Sequence, residues 1–589
     1  MKLRNFFVLV FLLSMGGMFF AQVAADPNNA FYADLQQWET TGIVGNLPAA
    51  RPYPLQLVKT ILEAVIEKGN TAQQQSARQY YSRFFGRVFS IDTQAEITTD
   101  TAADDSDTTD PQLGFALTGN LNYEVNQYLS ASANAACWMI SNQPSNEILP
   151  AGISSSRDII DDDANVGPFY VLPSVNSSVA IGTTEYYLNA GQMRGSYGPF
   201  SDSVVVSSDA FHSGQFSFVV NKPSWGYDFS LYTLTATPDD DPLDYSSEKY
   251  LAVHSYTYHP VDWFSVSYLE SIVWGERMEL LYLLPLSPYM VSQGSIGLSD
   301  NVYMGGMFTV KPFRGLKIDG ILYADDLSFK DIATFNFDTK WRLAGQTGVS
   351  YAPQKAGLLS LISFEYTMVT PYCYTHDNRH LGSDEFDYSS PNYQSYTHAG
   401  NVLGTSSMDP NSDRYSLKVH LTPPINNFSM DLIGTVIRHG NVNESLSDSN
   451  IIYYVTHQID DKDYITDGSI SNSTAIVDKD DSVRHIFQSS TPFLSQSTLQ
   501  YIWQTGFTAS YTLPVFHTGQ QLVLHLGYLF EYNINKGINS NIYHYDSSLV
   551  NSSDEEILAA ARKQYDQWLA DAKGTAYNNY VTLSIEYKF

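Results

Sequence analysis

From about Arg87 onward, apolar and polar residues alternate with a period of two. In FALTGNLNYEV, residues 115–125, the side chains of Phe115, Leu117, Leu121, Tyr123 and Val125 share one parity. GLKIDGILYADD places Leu316, Ile318 and Leu322 on one side, and Lys317, Asp319, Tyr323 and Asp325 on the other. Residues 499–513 alternate through Leu499, Tyr501, Trp503, Thr505, Phe507, Ala509, Tyr511 and Leu513. The next run does so through Leu522, Leu524, Leu526, Tyr528, Phe530 and Tyr532. Successive side chains of a strand point to opposite faces, so each run predicts a strand with one apolar and one polar face. Strands of soluble domains are mostly ~5–6 residues long. Alternating segments of about ten residues are the length a transmembrane β-barrel uses.

The chain finishes on the same pattern. In YVTLSIEYKF, Val581, Leu583, Ile585, Tyr587 and Phe589 form one face, and Thr582, Ser584, Glu586 and Lys588 the other. Five alternate positions reach about 26 Å at ~3.3 Å per residue, close to the ~25 Å apolar band of an outer-membrane barrel. At roughly 25–30 residues per strand with its connection, the region from 87 to 589 predicts ~16–20 strands, an even number. The predicted class is all-β, an antiparallel transmembrane barrel.

The first 86 residues have a different texture. Met1 to Ala25 combines basic Lys2 and Arg4, an apolar stretch from Phe6 to Phe20, and small Val23 and Ala25. That order predicts an export signal cleaved before Asp26; the apolar stretch is shorter than the ~20 residues of a spanning helix. Phe31, Leu35 and Trp38 then recur at helical spacing. After RPYP at 51–54, so do Leu57, Val58, Ile61, Leu62, Val65 and Ile66, up to Gly69. A third helix is predicted from about Thr71 to Phe85. Three short helices lack a sufficient core of their own. Residues 26–86 are therefore expected to form a periplasmic cap docked on the barrel of residues 87–589.

Charge and composition narrow the function classes. Loss of Lys2 and Arg4 with the signal takes the formal net charge from -30 to -32. Such acidity opposes nucleic acid, whose phosphates need a basic face. Forty-two Tyr with only 16% charged residues suits the aromatic girdles of a membrane barrel. Acidic runs at 104–107, 158–165, 239–244, 384–387, 460–463 and 477–481 are expected in external loops. Residues 554–573 predict an amphipathic helix with acids in its first turn and Gly574 beyond its end. Its less polar side carries Ile557, Ala561, Tyr565, Trp568 and Ala572. In a chain that ends in the periplasm, the connection before the last strand is external. Cys137 and Cys373 are expected as buried thiols rather than a bridge. HDNRH at 376–380 matches no zinc spacing, and the acidic runs match no EF-hand loop. The sequence contains no HExxH, GxSxG or Walker A motif, so no metal, cofactor or catalysis is expected.

Four stretches, in this order, resemble the Wzi-type capsule assembly family. They are RGSYGPFSDSVVVSSDAF (194–211), EKYLAVHSYTYHPVDWFSVSYLESIVWGERMELLYLLP (248–285), LSDNVYMGGMFTVKP with ILYADDL (298–312 and 321–327), and residues 365–440. The last contains EYTMVTPYCYTH, HAGNVLGTSSMDPNSDRY and IRHG. LQQWETTGIVGNLP in the helical start is also similar. The chain departs from the family pattern at Tyr197, where a Trp is expected, and at Ser255, where a basic residue is expected. Residues 441–495 have no counterpart. The resemblance implies an eighteen-stranded outer-membrane barrel with a helical bundle at its periplasmic end, acting as a surface lectin that attaches capsular polysaccharide.

Arg194, Tyr197, Glu270, Arg277, Asp300, Asn301, Asp325 and Arg438 lie within the resembling stretches. They are expected as a lumen network or as sugar contacts. The network reading is favoured because buried charges need partners. Tyr565 and Trp568 are expected either to stack on sugar rings or to pack their helix on the barrel rim. The partners implied are surface polysaccharide, outer-membrane lipid with lipopolysaccharide-like glycolipid, and the assembly machinery that reads the terminal aromatic. The protein is expected as a monomer. A porin-like solute channel is the alternative, because larger barrels can leave an aqueous lumen.

Overall fold

The computed structural model describes residues 26–588 apart from 103–109, 154–163, 238–244, 285–286, 298–299, 327–328, 335–340, 377–390, 406–407, 424–426, 458–466, 470–491, 515–519 and 545. The signal stretch 1–25, Phe589 and most of the acidic runs, with nearly all of HDNRH, lie outside the described residues. Eighteen antiparallel strands close a barrel. They are β1 Phe89–Ala102, β2 Gln112–Asn126, β3 Leu129–Ile140, β4 Phe169–Gly182, β5 Tyr186–Met193 and β6 Ser213–Asn221. β7 Trp225–Ala236, β8 Ser246–Val261, β9 Phe264–Gly275, β10 Asn301–Phe313, β11 Leu316–Asp326 and β12 Arg342–Tyr351 follow. β13 Leu359–Val369, β14 Ser412–Leu421, β15 Phe428–Gly440, β16 Leu499–Pro514, β17 Gln521–Ile534 and β18 Thr575–Lys588 complete the wall. β18 closes on β1, with Ile585 opposite Ala95. Closure leaves no sheet edge unpaired, which a membrane wall requires.

The two-residue period sets the faces of the wall. On β2, Phe115, Leu117, Tyr123 and Val125 point out and are exposed, while Ala116 between them is buried. On β18, Leu583 and Ile585 are each 52% exposed, whereas Ser584 is buried. On β11, Leu322 points out, and Lys317, Asp319 and Tyr323 point in. The exposed apolar face is the surface a bilayer would cover.

Short turns join the strands at one end and long connections at the other. Helices α1 Ala30–Thr40, α2 Leu55–Lys68 and α3 Thr71–Phe85 sit at the short-turn end, ahead of β1. Asn29 caps α1 by accepting the Phe31 N–H, and Asn70 with Gln73 forms a capping box on α3. The helices have no separate core. Phe31, Trp38, Val58 and Leu62 share one buried cluster with the inward-facing Tyr187, Val219, Leu251 and Leu269 of the wall. Ion pairs tie them in: Lys59 Nζ to Glu124 at 2.7 Å, and Glu39 to Lys311 at 3.2 Å and to Lys317.

Two long connections fold back into the lumen. Residues 194–212, between β5 and β6, contribute Tyr197, Val204, Val205 and Val206 to the same cluster. The β13–β14 connection adds Tyr374, Tyr396 and Leu403. Inside the barrel Ala50–Arg51, from the α1–α2 linker, pairs antiparallel with Ser196–Tyr197. Gly198 follows at φ 108°, with Ile321 Cδ1 2.8 Å from where a Cβ would stand. Only glycine fits that conformation and that space. At the long-loop end lie α4 Tyr289–Ile296, α5 Asp448–His457 and α6 Asp554–Ala572. Cys137 and Cys373 are not joined by a disulfide.

Candidate functional site

The structure divides the sequence-derived candidates into three places. Four lie in the lumen and hold the inward connections. Arg194 is 2% exposed and donates to the carbonyls of Asp209 and Ala210 at 3.2 and 3.3 Å. The Tyr197 hydroxyl lies 2.8 Å from Ser255 Oγ and donates to the Asp228 carbonyl at 3.2 Å. Asn301 Nδ2 donates to the Tyr303 hydroxyl and the Gln394 carbonyl, both at 3.0 Å. Asp325 accepts the Tyr374 N–H at 3.2 Å.

Glu270, Arg277, Asp300 and Arg438 are not lumen residues, which corrects the expectation for them. Glu270 shares parity with the exposed Val266 and Tyr268, so it points out of the wall. Its carboxylate meets His254 Nε2 at 3.1 Å and the Tyr268 hydroxyl at 2.6 Å. It is nevertheless only 2% exposed, because the connection between β9 and β10 lies over it. Arg277 and Asp300 belong to that connection and pair at 2.6 Å; Asp300 also accepts from the Tyr282 hydroxyl. Arg438 sits on the outward face of β15, paired in a fork with Asp413 of β14 at 2.8 and 2.5 Å. Strand parity decides Glu270 and Arg438, and the path of the connection decides Arg277 and Asp300.

Tyr565 and Trp568 lie on α6. Trp568 is 4% exposed and packs with Val455, Ile538, Ile557 and Ala561 in a small core beneath α5 and α6. The ring therefore offers no face to a sugar, and packing is its role. The Tyr565 hydroxyl donates to Glu444 at 2.8 Å. Residues that sequence reading missed complete the lumen framework. Arg414 pairs with Asp202 at 2.7 Å. Gln346 accepts the Val204 N–H at 2.9 Å and donates to the Asp202 carbonyl at 2.7 Å. Their inward parity was readable, but their partners lie on connections with no periodic signal.

Two carboxylates at these junctions carry shifted protonation. Burial raises Asp209, Asp202 adds repulsion, and together they push it up to about 6 against the Asn28 hydrogen bond. Burial would also raise Glu39, but Lys311 and Lys317 outweigh it and hold the carboxyl at about 2. One junction is thus charge-matched and the other favours a proton.

A polar cleft of about 440 Å³ opens at the long-loop rim of β5–β8. Gln192, Thr233, Thr235, Glu248 and Tyr250 from the strands line it, with His212 and His398 from the connections. His398 Nε2 lies 2.8 Å from the His212 carbonyl, and Nδ1 accepts the Thr235 N–H at 3.0 Å. That pairing assigns the neutral ring with its proton on Nε2. Lys249, at the same rim, is fully buried and donates to Thr397 Oγ1 at 2.9 Å and the Asn392 carbonyl at 3.1 Å. Hydroxyl, amide and carboxylate groups beside a tyrosine ring suit a polyhydroxylated ligand.

No protein-family model and no curated protein sequence matches the chain. OccAB2 of Acinetobacter baumannii aligns over 86% of this chain and 98% of its own, at 10% identity and a TM-score of 0.39. The outer membrane protein OprD of Pseudomonas aeruginosa aligns over 85% and 93%, at 10% identity and a TM-score of 0.36. In fold, the chain is similar to Wzi of Escherichia coli, an outer membrane carbohydrate-binding β-barrel involved in group 1 capsule assembly, over 96% of this chain and 99% of that one, at 11% identity and a TM-score of 0.50.

Proposed function

We propose that this protein binds a surface polysaccharide at the outer membrane and supports capsule assembly. In this reading the long-loop end faces the cell exterior and α1–α3 lie in the periplasm. Residues 1–25 direct export and are removed, and Phe589 completes the signal for barrel assembly. The observation that carries the proposal is a filled interior combined with a polar rim cleft. Helices, inward connections and wall share one buried cluster inside the barrel, while the rim presents hydrogen-bonding side chains in a cleft of about 440 Å³. The fold likeness to Wzi, a carbohydrate-binding barrel of capsule assembly, supports polysaccharide as the ligand class.

A glycan array probed with the purified, detergent-solubilised barrel tests the proposal. Retention of one or more acidic or neutral polysaccharides is expected, together with low conductance in planar bilayers. Porin-like conductance without glycan retention would replace the proposal with a solute channel.

A further inference from the structure

The described part of the connection between β9 and β10, residues 276–284, 287–297 and 300, does not extend away from the barrel. It returns along the outer wall. Its buried residues Tyr282 and Tyr289 pack on the outward faces of β6–β9, where Val220, Phe229, Ala252 and Ile272 are all buried. Elsewhere the large outward residues of this wall are open: Phe216, Trp225, Tyr258 and Phe308 are 39–58% exposed. The returning segment thus replaces whatever would otherwise cover this part of the wall.

The wall holds the segment by a specific contact. Helix α4 begins after Pro288, which supplies no side-chain cap. Its first N–H, from Tyr289, donates instead to Glu270 Oε2 at 3.0 Å. The carboxylate is thus an N-cap donated by the barrel, favoured by the positive end of the helix. The Tyr289 ring stacks on His254, with ring centroids 4.2 Å apart. The far face of the segment is apolar: Met278, Leu280, Leu284, Met290, Val291 and Ile296 are 42–69% exposed. Two of its serine hydroxyls, the buried Ser292 and the exposed Ser295, bond to its own backbone. Ser292 Oγ donates to the Pro288 carbonyl at 2.7 Å, and Ser295 Oγ to the Val291 carbonyl at 2.8 Å. Hydroxyls satisfied four residues back in this way need no water, so they are compatible with an apolar surrounding.

We propose that the described residues of this connection, 276–284 and 287–297, form a flap inserted in the bilayer, whose exposed face binds lipid acyl chains while Glu270 latches it to the wall. Lipid is the occupant because the flap's apolar face continues the exposed apolar band formed by Trp225, Val266, Tyr268 and Phe308 on the strands around it. The proposal is independent of the polysaccharide reading. It assigns to Glu270, His254, Arg277 and Asp300 the role of keeping polar groups beneath an apolar cover.

Spin labels report the surroundings directly. The full-length protein, with Cys137→Ala and Cys373→Ala, carries a label at Val291→Cys or, as reference, at the outward-facing Leu322→Cys. Each is reconstituted in phosphatidylcholine–phosphatidylglycerol vesicles. The label at 291 is expected to collide freely with oxygen and rarely with a nickel chelate, within about twofold of the reference. Preference for the chelate would place the flap in water and overturn the proposal. Exclusion of both reagents that is relieved by dilution in lipid would identify a second copy as the occupant, and also overturn it. Adding Glu270→Ala is expected to raise label mobility at 291 severalfold and leave 322 unchanged. If that variant does not assemble, Glu270→Gln, which retains an oxygen acceptor, should give a smaller increase. Unchanged mobility at 291 in the assembled variant would overturn the latch.

Discussion

The hydroxyls of Tyr197 and Ser255 lie 2.8 Å apart, and both residues are fully buried in the barrel interior. At these two positions the sequence reading expects a Trp and a basic residue, and the two side chains present are in contact. An aromatic hydroxyl here meets a small hydroxyl partner. The two hydroxyls therefore act as one hydrogen-bonded pair in the interior. A double-mutant cycle of Tyr197→Phe and Ser255→Ala checks it. Tyr197→Phe is expected to cost about 1–2 kcal/mol by leaving the buried Ser255 hydroxyl unpaired, and Ser255→Ala less, because the Tyr197 hydroxyl keeps the Asp228 carbonyl. The coupling should be at least about 0.5 kcal/mol, read from the shift in thermal unfolding. Strict additivity would separate the two positions.

Glu39 pins the plug to Lys311 and Lys317 on the wall. Glu39→Gln is expected to lower plug stability by about 1–3 kcal/mol, since Lys317 keeps Asp319 at 3.2 Å. The carboxyl is held at about 2, below its ordinary value of 4.5. Its stabilisation is therefore complete above pH 4.5 and lost as pH falls toward 2. Protease sensitivity of residues 26–86, followed from pH 6 to pH 2, should rise in wild type and become flatter in the variant.

Asp209 behaves oppositely. Its folded value of about 6 lies above the ordinary 3.8. The folded state binds the proton more tightly, so this group favours folding fully below pH 3.8 and less as pH rises through 6. Asp209→Asn keeps an oxygen for the Asn28 amide, now 2.9 Å away. It should stabilise the plug at pH 7.5 by on the order of 1–2 kcal/mol, with the gain vanishing near pH 4. Hydrogen exchange of α1 at the two pH values measures it.

Trp568→Ala should loosen the core under α5 and α6. Removing a buried tryptophan costs about 3–5 kcal/mol locally. Faster surface proteolysis between β17 and β18 is expected, with barrel heat-modifiability unchanged. Glycan retention should also persist, because the ring is buried.

Thr233 is exposed at the rim cleft. Thr233→Trp fills the space without touching the lumen. At least a tenfold loss of polysaccharide affinity is expected on the glycan array, with normal assembly. Undiminished binding would move the ligand away from this cleft.

What the sequence determined by itself is local. Alternation over about ten residues places Leu583, Ile585 and Leu322 outside and Lys317 inside, because successive side chains of a strand must diverge. Helical spacing and caps placed α2 after Pro54 and ended it at Gly69. The same parity already put Glu270 on the face of Val266 and Tyr268, yet charge invited a lumen assignment. Only the tertiary structure decided what covers that face. No period in residues 276–300 announces that the segment folds back onto the wall. Nor does spacing join Tyr197 to Ser255, 58 positions apart, or Arg414 to Asp202. Those contacts depend on where barrel closure brings strands and connections together, and on the burial of polar groups that must then find partners. Backbone geometry writes the face of each side chain into the chain; its neighbour across the lumen or beneath the flap exists only once the barrel has closed.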